Sequence, residues 1–195
     1  MTTTGSADPP ATDGLLDAAR AGDVRAFTTL LKAHDAAMRA LVWSMVRDSW
    51  LMDDVLQQAY ERAWKALPGF RGEAAFGTWL HRICWTTAVD ALRAEGRRRT
   101  VGWPDPGPDD PAATDPGPEA RVVQALTFDA AWRALPADQR TALTLVAGEG
   151  LPYAEAARIC DTTEGTIAAR VSRGRAKLRT LLAGADQPGS QEGPR

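Results

Sequence analysis

Apolar residues recur along this chain at steps of three and four, the spacing of amphipathic helices. No segment alternates apolar and polar residues as a half-buried strand would. In the first half the pattern predicts four helices, approximately at 15–21, 23–48, 51–67 and 76–99. Asp23 is the expected N-cap of the long second helix, and Pro68-Gly69 is expected to end the third. The first half is therefore predicted to be an all-α domain covering residues 14–97.

The composition then changes abruptly. Residues 104–119 contain six prolines, five acidic residues and no basic residue. Such a segment forms neither a helix nor a core, so residues 98–120 are predicted to be a disordered linker. At about 3.1 Å per residue in polyproline geometry, sixteen residues span on the order of 50 Å. The simpler interpretation, a spacer that only provides reach, stays open.

The helical spacing returns after the linker. It predicts a helix over 120–132, a break at Leu135-Pro136, a helix over 138–147 and a helix-turn-helix over 151–182. The fold class is thus all-α, with two small helical domains joined by the linker, and the C-terminal one, over 121–183, is a four-helix domain with the helix-turn-helix. Residues 1–13 and 184–195 are predicted to be disordered tails.

The helix-turn-helix is the clearest functional pattern. Asp161 stands where the turn needs a left-handed residue, and Thr163 is a plausible N-cap for the second helix. Five basic residues and one acid between 163 and 182 give a local charge of about +4, in a chain of net charge −2. This excess favours DNA binding, and the alternative is an amphipathic helix with a solvated basic face.

Composition excludes several other classes. The chain has 195 residues, 44% of them hydrophobic, and no apolar run approaches the roughly 20 residues that span a bilayer, so no membrane insertion is expected. Cys84 and Cys160 show no paired spacing, which favours a reducing cytoplasm over a disulfide scaffold. His81 and Cys84 lie three residues apart without a second pair, so neither a metal nor a cofactor is expected. No catalytic constellation is present, and an enzyme is not expected.

Several motifs together resemble one family. In the first half they are the segments 53–64, 70–72, 76–83 and 88–93. In the second half they are 135–136, 150–153 and 165–167, with Arg140, Glu155, Arg170, Arg173, Arg175 and Leu178. Their order and spacing resemble bacterial RNA polymerase sigma factors of the sigma-70 family, in the extracytoplasmic-function group. The resemblance covers nearly everything between Leu15 and Leu182.

The resemblance implies a polymerase-binding helix and a set of partners. The helix would dock on a coiled coil of the largest subunit of core RNA polymerase, through Asp53, Asp54, Leu56, Gln57, Tyr60 and Glu61. The flap of the second-largest subunit, promoter DNA and an anti-sigma protein are the other implied partners. In the family the linker threads the active-site cleft of the polymerase. Tyr60 and Trp64 have core packing as an alternative role.

The next segment resembles the part of the family that reads the minus-ten promoter element and assists DNA melting. The residues that would contact this DNA are Phe70, Arg71, Trp79, Arg82, Trp85, Thr86 and Arg93. Aromatic faces and cations suit single-stranded bases. Trp79 also fits a packing position, whereas Trp85 is the better candidate for exposure. Many relatives have Asn where this chain has Thr86, which changes the base preference expected there.

The helix-turn-helix resembles the reader of the duplex minus-thirty-five element. Its candidate residues are Thr163, Glu164, Thr166, Ala168, Ala169, Arg170, Arg173 and Arg175. Ala168-Ala169 replace a basic residue followed by Ser and can offer only methyl contacts to thymine. Asp161, Thr162 and Pro152 also depart from the usual residues. The implied function is promoter-specific initiation with core polymerase, and the alternative is a free-standing helix-turn-helix regulator.

Overall fold

The computed structural model describes residues 11–100 and 128–185, with side chains described for 13–96 and 128–183. Every regular element in these two ranges is helical, which confirms the predicted all-α class. Of the predicted tails and linker, residues 1–10, 101–120 and 186–195 lie outside the described residues, whereas 11–13, 98–100 and 184–185 are helical, so both predicted tails extended into a helix.

The first two helices meet at a glycine. Helix α1 spans Ala11–Arg20 and helix α2 spans Val24–Val46. Gly22 between them has φ 98°, a conformation that side chains disfavour. Asp23 caps α2 as predicted, because its carboxylate accepts hydrogen bonds from the amides of the second and third residues that follow it, at 2.8 and 3.2 Å.

Helix α3 spans Ser49–Ala66, a 3₁₀ turn covers Leu67–Gly69, and helix α4 spans Phe76–Thr100. The predicted start of α3 near Leu51 was two residues late. Asp48 is the N-cap, and its carboxylate accepts from the Leu51 amide at 2.8 Å. Helices α2, α3 and α4 pack on one another around fully buried side chains that include Met38, Leu41, Val55, Phe76 and Leu80.

The second half contains the short helices. Residues 128–133 are helical (α5), α6 spans Ala137–Leu143, a π turn covers Thr144–Gly148, α7 spans Tyr153–Ile159, and α8 spans Glu164–Ala185. Helices α7 and α8 form the predicted helix-turn-helix. Asp161 has φ 49° and Thr163 Oγ1 accepts from the Thr166 amide at 3.2 Å, which confirms both predicted turn roles.

Helices α6 and α8 approach each other closely at Gly174. A Cβ placed at this glycine would lie 2.8 Å from Leu143 Cδ1 and 3.4 Å from Gln139 Cβ. Glycine is therefore required here by packing rather than by backbone conformation. The contact fixes the middle of α8 against α6.

The two halves also touch each other, which the sequence did not predict. Helix α2 contacts α6, and α4 contacts α7. Arg140 is buried, and its Nε donates to the Ser44 carbonyl across the interface at 2.7 Å. Thr78 Oγ1 donates to Glu155 at 2.9 Å, and Arg47 pairs with Asp129 at 3.4 Å. The two predicted DNA-binding regions are therefore packed against each other in this structure. We call this arrangement closed.

Candidate functional site

A groove of about 640 Å³ runs between α2 and α3. Its wall is apolar and aromatic, and Phe27 and Trp64 lie in it with ring centroids 5.0 Å apart. The rim carries Asp53, Gln57 and Glu61, all exposed, from the predicted polymerase-binding helix. An apolar floor with an acidic rim suits a helical partner that carries basic residues.

One side of this groove is held by a hydrogen-bonded network of two carboxylates, a guanidinium and a phenol. Arg39 donates to Asp35 and to Asp53, both at 3.0 Å, and Tyr60 Oη donates to Asp35 at 3.0 Å. Burial, followed by the hydrogen bond to Asp35, raises the pKa of Tyr60, so its phenol stays protonated and remains a donor. The hydrogen bond that Arg39 donates to Asp53 is the largest cause of the raised pKa of Arg39.

The remaining predicted polymerase contacts divide by exposure. Asp54 is exposed and accepts from Gln58 at 2.8 Å, while Gln57 donates to Glu61 at 3.3 Å. Leu56 is only 2% exposed and belongs mainly to the core. Sequence reasoning missed Arg39 and Asp35. Their four-residue spacing indicated an ion pair along one helix face, but nothing in the sequence placed that pair beside Asp53.

The residues predicted to bind the minus-ten element begin with an aromatic cluster. Phe70, at the start of the loop after the 3₁₀ turn, lies 4.9 Å from Trp79 and 6.1 Å from Phe76 between ring centroids. Phe70 is 8% exposed, and Trp79 is half-buried, so both predicted roles of Trp79, packing and contact, remain compatible with its position. Arg71 is exposed in the loop.

Along α4 the other predicted contacts differ from one another. Arg82, Thr86 and Arg93 are exposed, whereas Trp85 is half-buried and packs on the core. Trp85 was expected to be more exposed than Trp79, but both side chains are half-buried. The Thr86 hydroxyl lies 3.0 Å from the carbonyls of Arg82 and Ile83, so its hydrogen is used within the helix.

A pocket of about 390 Å³ lies between this region and α7. One wall comes from the loop and α4, including Phe70, Arg71, Trp79 and Arg82. The other wall includes Arg158, an exposed α7 residue that sequence reasoning missed because no pattern linked it to the first half. In this closed arrangement the helix-turn-helix domain covers one side of the predicted minus-ten site.

The second helix of the helix-turn-helix presents its candidate residues unequally. Arg173, Arg175 and Ala168 are exposed, and Ala169 is half-buried. Arg170 is half-buried and its Nε lies 3.1 Å from Asp138 of α6, so part of its donor capacity is used within the domain. Thr163 and Thr166 share a hydroxyl hydrogen bond of 2.9 Å at the helix start.

The buried histidine and cysteine of α4 have packing roles in this structure. His81 Nδ1 lies 2.7 Å from the Gly77 carbonyl, and burial lowers the pKa of His81. Burial raises the pKa of Cys84 to about 12. Within the described ranges no three His, Cys, Asp or Glu side chains gather as metal ligands, and no described helix is long and apolar enough to span a membrane.

Comparisons with known proteins agree with the motif pattern. Residues 30–98 match the model described as Sigma-70 region 2, and residues 126–178 match Sigma-70, region 4. The chain is 34% identical over 184 residues to the RNA polymerase sigma-H factor of Pseudomonas aeruginosa, covering 86% of this chain and 92% of that relative. It is 35% identical over 168 residues to the ECF RNA polymerase sigma factor SigM of Mycobacterium tuberculosis, covering 86% and 83%.

A solved structure shares the fold. The sigma factor RpoE from Bartonella quintana, in complex with the anti-sigma factor NepR, aligns with a TM-score of 0.67 at 28% identity. The alignment covers 84% of this chain and 100% of the RpoE chain.

Proposed function

The chain belongs to the sigma-70 family, in the group of ECF RNA polymerase sigma factors, and from this premise we propose which surfaces perform each step of initiation. Its function is that of an RNA polymerase sigma factor, not of a free-standing helix-turn-helix regulator. A sigma factor selects the promoter, and the polymerase supplies the chemistry of RNA synthesis.

The α2–α3 groove is the proposed docking site for the coiled coil of the largest polymerase subunit. This groove carries the proposal, since it combines an apolar floor around Phe27 and Trp64 with an acidic rim. Exposed Asp54 and Glu61 would pair with basic residues of the partner. Asp53 acts indirectly as well, since its bond to Arg39 holds the rim in place.

The region around Phe70 and α4 is the proposed minus-ten site. Bases that leave the duplex can stack on aromatic rings and sit beside guanidinium groups. Arg71, Arg82 and Arg93 are exposed cations on this side of the molecule. Thr86 lacks a free hydroxyl hydrogen, so it would present an acceptor or its methyl group to a base.

Helix α8 is the proposed reader of the minus-thirty-five element. Arg173 and Arg175 are exposed and suited to phosphates or guanine edges. Ala168 offers a methyl contact at a position where a longer side chain would reach further into the groove. Arg170 orients α8 against α6 through Asp138 and contributes less to DNA contact.

The closed arrangement must open for both promoter elements to be bound together. Elements centred about 25 base pairs apart are separated by about 85 Å along B-form DNA at 3.4 Å per pair. A compact body of this size has a diameter of only about 40 Å. The proline-rich segment over 104–119, predicted from its composition to reach on the order of 50 Å, would supply the length needed for separation.

An anti-sigma protein is the proposed regulatory partner. The sigma factor RpoE of Bartonella quintana, whose fold this chain shares, was solved with an anti-sigma factor. A partner of this class would act by holding the two halves together or by covering the α2–α3 groove.

Run-off transcription with purified core polymerase tests the function, and one substitution tests the docking site. Asp54→Lys should weaken core binding about 10-fold or more, because it places like charge against a basic partner. Asp13→Lys, an equal charge change at an exposed α1 position, is the matched control. The affinity of Asp54→Lys for minus-thirty-five DNA should stay unchanged. An equal loss of core-polymerase binding in Asp54→Lys and Asp13→Lys would contradict the docking assignment.

A further inference from the structure

Arg20, the last residue of α1, contacts the loop that carries Phe70. Its Nη2 donates to the Phe70 carbonyl at 2.6 Å, and its guanidinium carbon lies 5.4 Å from the centroid of the Phe70 ring. The two contacts bind the same residue through its backbone and through its ring. They restrain both the position of the loop and the tilt of the aromatic side chain.

The helix that carries Arg20 is itself firmly placed. Leu16 and Ala19 are 7% and 2% exposed, and α1 packs on α2 and on the 3₁₀ turn before Phe70. Asp17, one turn earlier, accepts from Arg20 Nη1 at 3.3 Å and orients the guanidinium. The restraint therefore connects the loop to a helix that is packed on the core of the domain.

Phe70 passes this restraint to the rest of the proposed minus-ten site. Its ring packs against Trp79 at 4.9 Å and Phe76 at 6.1 Å. Phe70 and Arg71 also line the pocket in which an unstacked base would be held. A shift of Phe70 would move the ring face and the cation beside it together.

Two of the five N–H groups of Arg20 donate to the protein, and a third is buried. One terminal nitrogen faces Asp17 and the other faces the Phe70 carbonyl. Nε is buried and has no hydrogen-bond partner among the described residues, so it is shielded from an incoming phosphate. This geometry favours an indirect role over a phosphate contact.

We propose that Arg20 is a positioning residue that holds the 68–75 loop in its DNA-binding conformation, so that α1 takes part in promoter opening. The inference rests on the proposed minus-ten site. It assigns to α1 a role that neither motif spacing nor helix amphipathicity indicates.

The test uses holoenzyme on a promoter with a pre-melted minus-ten bubble. Arg20→Gln should weaken bubble binding about 10-fold, the loss expected for a charge-assisted hydrogen bond. Arg20→Lys should restore part of the loss, because it keeps a donor but not the planar contact with the ring. Arg25→Gln, an exposed arginine five residues later, is the matched control and should change little.

Salt dependence separates positioning from direct contact. The slope of log K against log salt is negative, and loss of one phosphate contact to single-stranded DNA reduces its magnitude by about 0.7, so the line becomes flatter. The positioning role predicts a parallel line for Arg20→Gln, displaced to lower affinity with the same slope. A reduced slope would overturn the proposal in favour of a direct phosphate contact. An equal loss of core-polymerase binding would overturn it in favour of general misfolding.

The variant Phe70→Leu distinguishes failure of this inference from failure of the proposed site. If Phe70→Leu weakens bubble binding and Arg20→Gln does not, only the positioning role falls. If Phe70→Leu and Arg71→Gln are both without effect, the minus-ten assignment falls and the role of Arg20 falls with it. When both proposals hold, Arg20→Gln adds little in the Phe70→Leu background.

Discussion

The hydrogen bond from Thr78 to Glu155 should control how readily the two halves separate. Thr78 is 7% exposed and belongs to α4, and Glu155 is half-buried in α7. A hydrogen bond to a charged group contributes about 1.5–3 kcal/mol when shielded, and partial exposure of the carboxylate reduces this to about 1–2 kcal/mol. Thr78→Val keeps the side-chain shape and removes the donor. It should therefore raise the ratio of open to closed protein about 5- to 30-fold.

Fluorescence energy transfer between the halves measures this ratio. Lys65→Cys and Thr180→Cys place one dye at an exposed position of α3 and the other at an exposed position of α8. The native thiols are buried, and burial raises the pKa of Cys84 to about 12 and that of Cys160 to about 11. Labelling near neutral pH should therefore select the introduced cysteines.

A double-mutant cycle isolates the pair from other effects of each substitution. Glu155→Ala also removes an acidic residue from the first turn of α7, which weakens that helix by itself. Combined with Thr78→Val, it should show a coupling of about 1–2 kcal/mol in the closure equilibrium. Arg62→Gln, which breaks a bond to Asp90 within the first half, should leave the transfer efficiency unchanged. Strictly additive effects of Thr78 and Glu155 would refute the reasoning.

Two further predictions concern stability. Gly174→Ala should lower the free energy of unfolding by about 1–3 kcal/mol in urea titrations, since its Cβ would overlap Leu143. Gly165→Ala, whose Cβ would meet only Thr163 Oγ1 at 4.0 Å, should be neutral or mildly stabilising. Burial lowers the pKa of His81 in the folded state, so the unfolded state binds more protons and stability should fall as pH drops below about 6.5. His81→Asn, which can keep a donor towards the Gly77 carbonyl, should flatten this dependence between pH 5 and 6.5; an unchanged slope would assign it to other groups.

Helix ends and the turn of the helix-turn-helix could be predicted from the sequence, because a single residue type performs each of these roles locally. Asp23 and Thr163 cap helices because a short oxygen-bearing side chain reaches the free amides of the first turn. Asp161 adopts the left-handed conformation that the turn requires. These features depend on neighbours within about four residues, so a single sequence contains all the information needed. The start of α3 was misplaced because Asp48 was assigned to the end of the preceding helix.

The surfaces were less predictable because they depend on residues distant in sequence. Asp53 was expected to contact the polymerase, but one of its oxygens already pairs with Arg39 from another helix. Arg170 was expected to face DNA, yet it pairs with Asp138 of α6. Leu56 was expected to contact the polymerase, yet it is only 2% exposed. Each departure is a tertiary contact that helical periodicity does not encode.

The chemistry of the contact between the halves suits an interface that forms and breaks. Arg140 crosses it with Nε on the Ser44 carbonyl, while Nη1 donates to the carbonyls of Leu135 and Arg133 in its own half. On separation the Ser44 carbonyl and Nε can exchange this bond for bonds to water at small net cost. The guanidinium stays oriented by the two carbonyls that remain. An interface of interlocked apolar side chains would instead expose hydrocarbon on opening, at about 25 cal/mol for each Å². Apolar side chains of the two halves also pack in one cluster, so the polar links at Arg140 and Thr78 keep the cost of opening below that of an all-apolar contact of the same area.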